Sequence, residues 1–184
     1  MIGGLIALGV VVLILLWFMA AYNGLVRLRN GVRNAWSQID VQLKRRHDLI
    51  PNLVEVVKDY MSFEQEVLEN VTTARNVAMG ANTPGDAAKA EAGLTRALNG
   101  LYAVMENYPD LKANQNVSQL QEELTSTENK IAFARQYYND SVMTYNTRTQ
   151  VMPTNIVANL TGFTQEQFFQ TAEEEKEVPK VNLR

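Results

Sequence analysis

The stretch from Ile2 to Ala21, IGGLIALGVVVLILLWFMAA, contains no charged side chain. At 1.5 Å per residue, about twenty helical residues span about 30 Å, the thickness of a bilayer's hydrocarbon core. The run therefore reads as a transmembrane helix. It is longer than the apolar region of a signal peptide, it has no basic segment before it, and it offers no clean A-x-A cleavage site. Trp17 and Tyr22 fall near its end, at the depth where amphipathic aromatics meet lipid headgroups. Arg27, Arg29 and Arg33 follow before the first acidic residue, Asp40. They are expected to touch headgroups too. By the positive-inside rule they place the C-terminal domain in the cytoplasm and the N-terminus outside.

Beyond the run the apolar pattern becomes heptad-like. Tyr22, Leu25, Val32, Trp36, Ile39, Leu43, Ile50, Leu53, Val57, Tyr60, Val67, Val71, Ala74 and Ala78 recur at spacings compatible with one helical stripe. Polar residues interrupt the seam at Arg29, Arg46 and Glu64. Pro51 lacks the amide that would bond the carbonyl of His47, which predicts a kink or a break between residues 47 and 51. The turn formers after Gly80 end the stripe.

A second helix is expected from about Pro84 to Asn107, with residues 107–114 as a connector because Pro109 restricts Tyr108. A third begins at Asn114 or Asn116, either of which can cap it, and reaches about Gln150. Thr154 to Leu160 form a short helix closed by Gly162, and Thr164 with Gln167 suggests a capping box for one more turn through Phe169. Glu173, Glu174, Glu175 and Glu177 mark an acidic tail. The fold class is all-α: an N-terminal transmembrane helix continues into a long kinked helix within an up-down-up antiparallel three-helix bundle, followed by a short C-terminal helix. The divisions are residues 1–21 (transmembrane), 22–163 (bundle, with 22–50 as membrane-proximal stalk) and 164–184 (helical turn and tail).

Lengths add a constraint. A second helix of about 24 residues covers about 36 Å, less than half of the preceding stripe. Leu25, Val32, Trp36, Ile39 and Leu43 thus form a seam that needs cover from the tail, the far end of the third helix, or another copy of the chain. Such a seam is an interaction surface, and self-association is the expected use.

The chemistry is sparse. With no cysteine, thiolate metal sites, disulfides and cysteine nucleophiles are excluded. His47 is the single histidine and has no HExxH spacing around it, so neither a metal site nor a catalytic residue is assigned, and no cofactor is expected. His47 is read as a packing residue whose ionisation can respond to pH. Arg46, at a seam position, is expected to pair with Glu123 or Glu128 of the third helix and to fix register. Tyr138 and Tyr145, in the repeated Tyr-Asn pairs at 138–139 and 145–146, are expected in the core with partners for their hydroxyls. No basic face beyond the collar is present, which argues against nucleic acid as a partner.

YNGLVRLRN (22–30), AWSQIDVQLKRRHDLIPNLVE (35–55), LQEEL (120–124), TENKIAFARQYYND (127–140) and EEEKEVPKV (173–181) together resemble the bacterial LemA family. The resemblance covers nearly the whole chain. It implies a single-pass protein of the bacterial cytoplasmic membrane with a helical soluble region and no established catalytic residues. The chain departs from the family pattern at Phe63, where a histidine is expected, and near Leu160 and Thr161, where an aromatic is usual. The expected function is a non-enzymatic, membrane-anchored protein that self-assembles through its stalk as a scaffold or membrane organiser. The alternative is an adaptor that binds a membrane protease or signalling partner through its bundle surface. Membrane lipid, further copies of the chain and another membrane protein are the partners these readings imply.

Overall fold

The structure, a computed structural model, describes residues 2–61 and 63–169. All regular structure among them is helical: α1 (Ile2–Lys58), α2 (Gln65–Met79), α3 (Pro84–Met105), α4 (Pro109–Ala113), α5 (Gln115–Gln150) and α6 (Thr154–Thr161). The chain divides into two units. Among the described residues, 2–37 with 136–167 form unit 1, and 38–135 with 168 and 169 form unit 2. The acidic tail expected at the C-terminus lies outside the described residues.

In unit 2 the apolar stripe does not continue as one helix to Ala78. It stops at Lys58 and restarts at Gln65, with Glu64 bonding back through its amide to the carbonyl of Met61. Met61, at the break, is fully buried with Ile50, Leu53, Val57, Val71, Leu94, Leu101 and Leu111. The break thus brings the second half of the stripe into the same core as the first. α2 and α3 then form a tightly packed hairpin through residues 80–83. Thr83 caps α3, its hydroxyl oxygen accepting the Asp86 amide at 3.1 Å, and Pro84 fills the first turn, where no amide is needed. The expected connector at 107–114 contains a single helical turn, α4, that buries Leu111. The side-chain oxygen of Asn114 accepts the amides of Asn116 at 2.9 Å and Val117 at 3.3 Å, so Asn114 is the cap of α5.

Pro51 lies inside α1 without breaking it. The carbonyl it leaves without an amide donor is that of His47, and the Nε of Arg75 on α2 donates to that oxygen at 2.7 Å. A side chain from a neighbouring helix replaces the missing bond.

In unit 1 the seam expected to lie open is covered. Leu25 and Val32 are buried, Ile39 and Leu43 in the adjoining stretch of α1 are buried as well, and Trp36 is half-buried. The expectation of an exposed seam is therefore corrected. The second helix is too short to cover it, but α5 has 36 residues and its length reaches what α3 cannot. Within unit 1 the Trp36 ring meets Tyr138 at 5.6 Å, and Tyr22 meets Phe163 edge-on at 5.7 Å. α6 ends as expected at Gly162, whose φ of 74° is the left-handed conformation glycine adopts without strain.

The helical turn expected after it is absent: residues 163–169 have no regular structure. Their backbone is held by α5 side chains instead. The hydroxyl of Tyr145 donates to the carbonyl of Thr164 (2.8 Å), and that of Tyr138 to Gln167 (2.7 Å). Asn146 donates through Nδ2 to the Glu166 carbonyl and accepts the Glu166 amide through Oδ1, both at 2.9 Å. These bonds occupy backbone groups that a helical turn would have used internally. The tyrosines are core residues with hydroxyl partners, as their sequence pattern indicates.

Candidate functional site

The densest buried polar cluster among the described residues lies in unit 2 and is built on consecutive residues of α1, Arg46 and His47. Both are buried. Consecutive positions on a helix diverge by about 100° and ordinarily face different neighbours. Here both reach Glu91 of α3. Nη1 of Arg46 donates to one carboxylate oxygen of Glu91 at 3.0 Å, and Nε2 of His47 lies 2.6 Å from the other. Nη2 of Arg46 donates to the Thr95 hydroxyl at 2.8 Å and pairs with Glu128 of α5 at 3.1 Å. Glu91 and Thr95 are four residues apart, one turn of α3, so they present a carboxylate and a hydroxyl on one face. One guanidinium thereby ties α1, α3 and α5 together.

The environment sets the strength of these contacts. The side chains of Arg46 and Glu91 are 4% and 7% exposed, whereas Glu128 is 50% exposed. The pair with Glu91 is the buried one, and Glu128 closes the outer side where water screens it. A cleft of about 230 Å³ opens beside the cluster, lined in part by Arg46, Thr95, Tyr102, Glu128 and Asn129. Burial raises the pKa of the Tyr102 phenol; the charge of Arg46 works against the shift and that of Glu128 adds to it.

The residues singled out from sequence are partly brought together here. Arg46 pairs with Glu128 as expected. Glu123 does not join it, because it pairs with Arg45 on the exposed side of α1 at 3.6 Å. His47 is a buried packing residue, bonded to a carboxylate. Glu91 was missed. Its only local signal is an acidic residue inside an alanine-rich helix face, flanked by buried Ala87, Ala88 and Leu94, and an isolated carboxylate on such a face requires a buried cation. No group of three metal-ligating side chains occurs among the described residues.

The predicted headgroup residues lie in unit 1. Trp17 is exposed, and Tyr22 remains exposed beside Phe163. Arg27 and Arg33 are exposed. The guanidinium carbon of Arg29, which is half-buried, stands 4.7 Å from the centroid of the Phe163 ring, a cation–π contact within the protein. The apolar part of α1 includes an 18-residue window with none of its residues buried, and it is long and apolar enough to cross a membrane.

Comparison with known proteins places this geometry in context. A family model described as the LemA family matches residues 35–183. Magnetosome protein MamQ 2 of Paramagnetospirillum magneticum is 25% identical, with 81% of this chain and 64% of the relative covered. Magnetosome protein MamQ of Magnetospirillum gryphiswaldense is likewise 25% identical, over 80% of this chain and 64% of the relative. Protein LemA of Metamycoplasma hominis is 28% identical, over 84% of this chain and 71% of its own length. The chain thus spans less than two thirds of the length of these MamQ relatives.

Proposed function

Because the chain belongs to the LemA family, a family whose match covers its helical region, we propose that it is a non-enzymatic, membrane-anchored scaffold that assembles with further copies of itself. The observation that carries the reading is the contrast between its two kinds of surface. The polar groups able to do chemistry are spent internally, since both Glu91 oxygens and both terminal nitrogens of Arg46 are engaged. The most extensive unsatisfied surface is the apolar part of α1, exposed on every side. Lipid and other membrane helices are what satisfies such a surface.

Assembly is assigned to this anchor and not to the buried seam. Gly3, Gly4 and Gly9 have nothing within 4 Å of the position a Cβ would occupy, and with Ala7 they permit close approach of neighbouring helices. The arginine collar orients the chain in the bacterial cytoplasmic membrane with its helical domain inside and its N-terminus outside. Sedimentation of the full chain in density-matched detergent tests the reading. A protein mass of several times 20.7 kDa is expected, with Gly4→Ile and Gly9→Ile reducing it. A strictly monomeric particle overturns self-assembly, and a monomer that crosslinks in cells to a different membrane protein supports the adaptor reading in its place.

A further inference from the structure

α6 has no part in the scaffold reading, yet its two faces are sharply unlike. Thr154, Val157 and Ala158 are buried, while Ile156 is 51% exposed and Leu160 73% exposed. Met152, in the turn leading into the helix, is 80% exposed. Ile156 and Leu160 are one turn apart and stand on one side of the helix. α6 itself carries no charged residue.

The register of unit 1 fixes where this face lies. Tyr138 of α5 rests on Trp36 of α1, and seven residues further along α5 the Tyr145 phenol, its pKa raised by burial and by the charge of Glu166, feels the opposing charges of Arg29 and Arg33. The two helices therefore run antiparallel. Carried to the last residue of α5, the same register brings Gln150 to the level of Gly24, each twelve residues from its partner in the Trp36–Tyr138 contact, and α6 starts four residues later. At the other end of α6, Phe163 touches Tyr22 and Arg29. Both ends of α6 thus sit at the first turns after Ala21, where the apolar run stops.

The charge at this level is predominantly positive. Residues 22–37 and 141–167 contain Arg27, Arg29, Arg33 and Arg148 against one acid, Glu166, whose charge reaches the Tyr145 phenol. An apolar face beside a surplus of cations is complementary to an anionic lipid surface.

We propose that α6 is an interfacial membrane helix, whose Met152, Ile156 and Leu160 face lies in the headgroup–acyl boundary of an anionic bilayer and seats unit 1 on it. The proposal rests on the reading of residues 2–21 as a span of the same bilayer. Continuity with that span supplies the occupant, because a helix held at the end of a transmembrane segment meets lipid before it meets another partner.

The absence of cysteine makes a direct test available. Single variants Ile156→Cys, Leu160→Cys, Leu13→Cys and Thr125→Cys of the full chain are labelled with an environment-sensitive fluorophore. Each is reconstituted in vesicles of phosphatidylcholine and phosphatidylglycerol. Labels at 156 and 160 are expected to emit to the blue of the label at 125 and to be quenched by lipids brominated near the carbonyl end of the acyl chain. The label at 13 is expected to be quenched by lipids brominated deeper. If 13 is quenched while 156 and 160 remain as accessible to aqueous iodide as 125, the interfacial role is wrong and the anchor stands. If 13 is also unquenched, the anchor reading fails first. Labels at 156 and 160 that are shielded from iodide but indifferent to brominated lipid, and that become exposed on dilution of protein in the bilayer, overturn lipid in favour of a second copy.

Discussion

Removal of Glu91 is the most informative perturbation of the buried cluster. In Glu91→Ala the Arg46 guanidinium, whose side chain is 4% exposed, loses its buried counter-ion, and the His47 ring loses its carboxylate partner. Thr95 and Glu128 remain, but Glu128 is half in water and is screened. Stranding one member of a buried ion pair costs about 3–5 kcal/mol. For a domain of this size about 1 kcal/mol moves the melting temperature by about 2–4 °C, so Glu91→Ala should melt at least about 6 °C lower. Glu91→Gln keeps the shape and one acceptor and should lose about 1.5–3 kcal/mol, the value of hydrogen bonds to a charged group. The decisive comparison is Arg46→Met with His47→Leu and Glu91→Leu together, which removes every buried charge and should fall within about 1 kcal/mol of the parent or exceed it. Urea unfolding of the detergent-solubilised chain, followed by far-ultraviolet circular dichroism, measures all three. A cost below about 1 kcal/mol for Glu91→Ala would refute the claim that this carboxylate compensates a buried cation.

Three further outcomes follow from single contacts. Arg75→Ala removes the donor to the His47 carbonyl and should cost about 1–2 kcal/mol; in a Pro51→Ala background, where the helix recovers its own amide, the cost should shrink, and a double-mutant cycle by urea unfolding measures that coupling. Burial pushes the Tyr138 phenol up to about 12 from its ordinary 10, with the charge of Glu166 adding. Since the folded state favours the neutral form, this contribution is complete below pH 10 and fades as pH rises from 10 towards 12. Tyr138→Phe should flatten that part of the stability profile, read by unfolding at successive alkaline pH values. Gly162→Ala forces a side chain into the left-handed conformation at the end of α6 and should cost about 1 kcal/mol, visible as a lower urea midpoint.

Much of the helical layout was legible because it depends on local chemistry. Pro84, Asn114 and Gly162 each start, cap or terminate a helix using groups within a few residues, so the sequence around them is sufficient. Two features were not legible, for a common cause. Pro51 admits a kink or a break by local chemistry, whereas α1 stays unbroken there with Arg75, on another helix, donating to the His47 carbonyl. Thr164 and Gln167 have the spacing of a capping box, but Tyr138, Tyr145 and Asn146 claim the surrounding backbone first. A local preference of about 1 kcal/mol yields when distant side chains supply several bonds.

The polar residues on the apolar seam are where sequence and structure inform each other most closely. A repeating apolar seam alone admits slipped registers, because one heptad packs much like the next. Two of the polar interruptions, Arg29 and Arg46, remove part of that freedom in different ways. Arg29 is paired with the ring of Phe163, which fixes the returning segment against α1. Arg46 requires Glu91, Thr95 and Glu128 at once, a set that a shift of one turn in either α3 or α5 would dismantle. The apolar positions supply cohesion and the polar ones select a single arrangement. By this argument the triple hydrophobic replacement at 46, 47 and 91 retains stability but loses register. Cysteines placed at Arg45 and Glu123, whose side-chain tips lie 3.6 Å apart in the parent, should then be bridged by a short bismaleimide crosslinker in the parent background and lose that yield in the triple variant. An unchanged yield would show that apolar packing alone sets the register.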